Sequence, residues 1–114
     1  MPATDDETEK LNVVDSMCFD GAYLLRVRGE SMIEDHIADG DLVLINPGGK
    51  VRQGDVVVAL VEGHDTTLKR YELKGDMVWL HPANSTMEPI IVPSHNVQIQ
   101  GKVEAVIDAL DVHS

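Results

Sequence analysis

The sequence predicts an all-β domain. Three observations carry that expectation. Short runs rich in Val, Ile, Leu and Tyr recur roughly every ten residues, each bounded by Gly, Asp, Asn or Pro. No strand–helix–strand rhythm is present, and only one short segment has helical spacing. Aromatic residues are 4% of the chain against 43% hydrophobic overall, so the core is to be built from Val, Ile, Leu, Ala and Met. Together these describe a sandwich or partly closed barrel of roughly seven short strands.

The elements follow in order. Residues 1–10 hold four acids, one Lys and Pro2 without apolar periodicity, and read as a solvated arm. Residues 22–28 have strand composition and stop at Gly29. From Ser31 to Ile37, Met32, Ile33 and His36 fall at helical spacing. Ser31 with Glu34 three residues later fits a capping box, so one brief helical turn is expected. Asp39-Gly40-Asp41 is a turn, and Leu42–Ile45 a strand closed by Asn46-Pro47-Gly48-Gly49. Gly48-Gly49-Lys50 is expected as a hairpin turn rather than a phosphate loop. Gln53-Gly54-Asp55 turns into Val56–Val61, a continuous apolar strand of the kind covered on both faces. Gly63-His64-Asp65 leads into strand Thr66–Leu73, and Lys74-Gly75-Asp76 into strand Met77–His81. Pro82–Ser85 is a loop and Ile90–Val92 a short strand. Val97–Leu110 is a long strand in which Gly101 marks a bulge or bend.

Composition excludes several function classes. The 114 residues make one ordinary domain, and 9 Lys+Arg against 20 Asp+Glu leave a formal charge of −11. Phosphate contacts need clustered Lys and Arg, so this chain is not expected to bind nucleic acid or an anionic membrane surface itself. The one cysteine, Cys18, excludes an internal disulfide and a multi-cysteine metal site, and fits a reducing compartment. No apolar run is long enough for a membrane helix, and the acidic start lacks the apolar region of a signal peptide. The expected location is the cytoplasm. His36, His64, His81, His95 and His113 show no metal-ligand spacing, so neither a metal nor a cofactor is expected. No Gly-x-Ser-x-Gly is present.

One pair of residues suggests chemistry. Ser31 follows Gly29 at a strand-to-turn junction, which exposes a hydroxyl beside backbone N–H groups at the start of a turn. Lys69 lies in a strand-like run. Period 2 puts Thr67, Lys69 and Tyr71 on one face and Leu68 on the other. A Lys on a covered face loses its water, which disfavours the ammonium and lowers its pKa. The neutral amine can then take a serine proton as general base. On these residues alone, two plainer roles stand beside that one: Ser31 as a helix N-cap, and Lys69 as an exposed strand charge.

The stretch LLRVRGESMIEDHIADGDLVLINP (24–47) resembles the signature of the LexA/UmuD family of self-cleaving proteins. VRQGDVVVALVEG (51–63) is similar to the family's next hairpin, TTLKR (66–70) to its lysine-bearing strand, and HPANSTMEPIIV (81–92) to its Pro-x-Asn-Ser segment. The resemblance implies a LexA- and signal-peptidase-like β sandwich or clip with one short helical turn. It makes residues 16–114 the serine–lysine peptidase domain and residues 1–15 an acidic arm or linker remnant. It makes Ser31 the nucleophile and Lys69 the general base, then the acid for the leaving amine. Thr67 would orient the lysine, the Ser31 N–H with a neighbouring amide would form the oxyanion hole, and Met32 would pack beneath the pair as core.

The resemblance further implies homodimerisation, through strands within Val97–Leu110, and cleavage promoted by a RecA–single-stranded-DNA filament. DNA would be bound only through an N-terminal helix-turn-helix domain absent from this chain. Family members cut themselves at an Ala-Gly or Cys-Gly bond upstream of the serine, and neither dipeptide occurs here; Cys18 precedes Phe19. The chain therefore reads as the latent autoproteolytic and dimerisation domain of a LexA-type repressor of the SOS response to DNA damage. The alternatives are a processed UmuD-like subunit of a translesion polymerase and a non-catalytic interaction relative.

Overall fold

The computed structural model describes residues 8–11, by backbone alone, and residues 21–108. Eight strands run in chain order: β1 (Thr8–Leu11), β2 (Tyr23–Val27), β3 (Leu42–Asn46), β4 (Val56–Val61), β5 (Asp65–Lys74), β6 (Met77–His81), β7 (Ile90–Pro93) and β8 (Val97–Ile107). They form one curled sheet in the order β1-β2-β3-β8-β4-β5-β6-β7, and the adjacent strands are antiparallel. The all-β expectation holds. Cys18 lies outside the described residues.

Three expectations are corrected. The arm reading fails at Thr8–Leu11, which pairs with β2 from Thr8 opposite Val27 to Leu11 opposite Leu24. A polar strand suits that place, because a sheet edge is safer when it is charged than when it is apolar. Gly48-Gly49-Lys50 does not close a hairpin. The strands on either side of it, β3 and β4, each pair with β8, which lies between them. A second short 3-10 turn, Ser94–Asn96, joins the one at Ile33–Asp35. Three residues are too few to show a helical period in a sequence.

β8 organises the sheet. Its first half pairs with β4 and its second half with β3, and Lys102 stands opposite both Val57 and Asn46. The register shifts once against each neighbour, at Val58/Ala59 and at Leu44/Ile45. Such irregularities bend a strand and increase its twist. Gly101 sits at the first of them. A Cβ there would lie 2.5 Å from Ile45 Cγ2 and 3.1 Å from the Asn46 carbonyl oxygen, so only glycine allows the strands to close.

The curled sheet carries a hydrophobic cluster on each side. Leu25, Val27, Met32, Ile37, Val43, Ile45, Val58 and Leu68 form one, and Val57, Ala59, Val61, Val78, Leu80 and Val92 the other. β4 is thus covered on both faces, as its unbroken apolar run requires. Each fully buried Val or Leu contributes about 1.5–3 kcal/mol. Among the described residues, no helix is long and apolar enough to cross a membrane.

Candidate active site

The β5–β6 pairing begins at Arg70 opposite His81, so β6 does not ladder the Asp65–Lys69 half of β5. The turn following β2 meets that half at Lys69. Gly29, at φ +89°, lets the chain leave the strand, and its N–H donates to Asp39 Oδ1 at 2.8 Å. The turn is then clamped to the segment after β6. The Ala83 N–H donates to the Ser31 carbonyl and the Glu34 N–H to the Ala83 carbonyl, both at 2.7 Å. Asn84 Nδ2 donates to the Glu30 carbonyl at 2.9 Å, and the Ser85 N–H to Glu34 Oε2 at 2.8 Å.

These bonds correct the capping-box expectation. The 3-10 turn is preceded by Met32 and has no side-chain cap. The Glu34 carboxylate is engaged by Ser85, and the Ser31 hydroxyl faces Lys69 instead of the turn.

Lys69 Nζ lies 3.3 Å from Ser31 Oγ and also hydrogen-bonds Thr67 Oγ1. Lys69 is 2% exposed, Ser31 1% and Thr67 6%. Neither plainer role therefore survives: Ser31 is no helix cap, and Lys69 is no exposed strand charge. Thr67 and Lys69 stand opposite Ala59 and Val57, while Leu68 stands opposite Val58 and joins the other cluster. Met32, at 1% exposure, packs in the same cluster as Leu68.

Among the described residues four polar or charged side chains are buried: Ser31, Asp41, Thr67 and Lys69. Asp41 has a local duty, accepting the Ala38 N–H at 2.8 Å. The other three make one cluster. Burying an amine is costly, and the cost is greater for its charged form. Hydroxyl neighbours satisfy the amine without demanding that it be charged. A hydroxyl beside a neutral amine can be activated as a nucleophile.

Sequence reasoning missed two groups around this cluster. One is the pair of contacts made by Ala83 and Asn84 through backbone and amide; the Pro-x-Asn-Ser segment was legible, its clamping duty was not. The other is Arg70, whose Nη2 pairs with Asp35 Oδ2 at 2.5 Å and whose Nη1 bonds the Gly54 carbonyl. Among the described residues no group of three or more His, Cys, Asp or Glu could hold a metal ion.

The sequence that builds this cluster matches a known family. The Peptidase S24-like family model matches residues 1–104. The chain belongs to that family. It is 51% identical over 85 residues to the LexA repressor of Koribacter versatilis, covering 75% of this chain and 40% of that protein. The LexA repressor of Thermotoga neapolitana is 52% identical over 84 residues, 74% of this chain and 42% of its own length. That of Pseudothermotoga lettingae is 42% identical over 107 residues, 92% and 54%. The chain is thus a LexA-like S24 domain that spans about half or less of each relative's length.

Proposed function

We propose that this chain is the autoproteolytic and dimerisation domain of a LexA-type repressor, with Ser31 as nucleophile and Lys69 as general base. The observation that carries the reading is the buried contact of 3.3 Å between the Ser31 hydroxyl and the Lys69 amine. The neutral amine takes the serine proton as Oγ attacks the carbonyl carbon of an Ala-Gly bond. The tetrahedral oxyanion is met by the Ser31 N–H and a neighbouring amide. As the C–N bond breaks, the Lys69 ammonium gives its proton to the leaving glycine amine. Water, deprotonated by the same amine, then hydrolyses the Ser31 ester. Thr67 holds the amine in place, and Met32 supports the turn from the core.

Burial of both groups suits a site that acts on a tethered segment of its own chain. Effective molarity favours such a bond over a free one. The domain is accordingly latent, and a RecA–single-stranded-DNA filament is the partner that promotes cleavage. Operator DNA is bound by a helix-turn-helix outside this domain, and the protein works in the cytoplasm. A second copy pairs with the half of β8 beyond Lys102, where the β4 ladder ends and Val106 is exposed. The relatives' names favour a repressor over a polymerase subunit.

The test is an N-terminally extended form carrying an Ala-Gly bond upstream of Ser31. Self-cleavage at that bond, with a rate independent of protein concentration, supports the reading. An intact chain under activating pH and filament opposes it.

A further inference from the structure

We infer that Arg70 is a positioning residue, which holds the nucleophile turn in register with β5 through Asp35. The inference rests on the serine–lysine reading and assigns that site a support outside it. Lys69 and Arg70 are consecutive on β5, so their side chains leave opposite faces of the strand. Ser31 and Asp35 lie at the two ends of the turn between β2 and β3. Lys69 meets Ser31 at one end, and Arg70 meets Asp35 at the other. One strand thus grips both ends of the same turn.

The turn needs that grip. Its helical part is three residues long with no side-chain cap. It ends on His36 at φ +63°, a left-handed conformation that is uncommon for a non-glycine residue. Arg70 supplies a fixed point. Its second bond goes to the Gly54 carbonyl, and Gly54 is itself tied to β5, its N–H donating to the Tyr71 carbonyl at 2.8 Å. The planar guanidinium fork spans both acceptors, which a lysine ammonium cannot do with the same geometry. The pair is partly exposed, at 44% for Arg70 and 28% for Asp35. Such a pair contributes little to global stability, so its effect is local.

The test is amide hydrogen exchange on the 114-residue chain, comparing wild type with Arg70→Ala and Asp35→Asn. Protection at Glu34 and Ile37, whose N–H groups bond Ala83 and Met32 carbonyls, falls about tenfold in either variant. Protection at Val58 and Leu68 in the ladder is unchanged. In the extended, self-cleaving form the first-order rate falls about tenfold in either single variant. The double variant falls no further, because the two residues act through one contact. Arg70→Lys restores part of both losses.

Unchanged protection at Glu34 and Ile37, or losses that multiply in the double variant, would overturn the inference. Lowered protection with no cleavage even in wild type would keep the positional role and remove the peptidase reading.

Discussion

Ser31 Oγ and Lys69 Nζ meet at 3.3 Å although 38 positions separate them in the chain. Two local features bring them together. Gly29 lets the chain turn off β2 at φ +89°, and β5 leaves its Asp65–Lys69 half unladdered by β6. The turn meets β5 at Lys69 and is pinned by Ala83 and Asn84 as the chain departs from β6.

With Lys69 as the proposed base, cleavage is expected to depend on pH. Only the neutral amine accepts the serine proton, and its fraction rises about tenfold per pH unit until the amine is fully deprotonated. The first-order rate in the extended form should therefore climb with pH at a logarithmic slope near one, then level off. A rate that falls as pH rises from about 6 to about 10 would contradict a lysine base.

Thr67→Val removes a hydroxyl that bonds the Lys69 amine and keeps the side-chain shape. The cleavage rate should fall about tenfold or more, while stability falls by about 1 kcal/mol. Denaturant titration beside the cleavage assay separates the two effects.

Gly101→Ala tests how β8 fits between its neighbours. The added methyl would meet Ile45 Cγ2 at 2.5 Å and the Asn46 carbonyl at 3.1 Å, and one of these is backbone. The expected loss is about 1–3 kcal/mol, read from the midpoint of urea unfolding.

Burial pushes the Tyr23 phenol above its usual pKa of 10.0. A raised acid pKa in the folded state means that the unfolded chain releases this proton first. The stability it contributes is complete below the unfolded value and is lost as pH climbs from there through the folded value. Thermal unfolding above about pH 10 should show this loss, and Tyr23→Phe should lessen the slope. Phenolate absorbance gives the folded titration directly.

Much of the fold was legible because its signals are local. Turn residues at Asp39-Gly40, Gln53-Gly54 and Lys74-Gly75 punctuate the strands, and the apolar run Val56–Val61 reports a strand covered on both faces. The pairing of β8 between β3 and β4 was not legible, since a crossover leaves no local mark and Gly48-Gly49 looks the same in a hairpin as in a link. The Ser31–Lys69 pair could be suggested by type and period, but the burial that gives it meaning comes from packing across the sheet. Asp35 and Arg70 carried no signal at all: each is an ordinary surface charge until the fold brings them together.

The central claim is that Ser31 and Lys69 act as one catalytic unit. The direct measurement is mass spectrometry of the extended form, with its Ala-Gly bond, beside its Ser31→Ala and Lys69→Ala variants at alkaline pH. The account predicts two fragments divided at that bond from the unaltered chain, and an intact mass from each variant. Fragments of the same masses from the Ser31→Ala chain would contradict it.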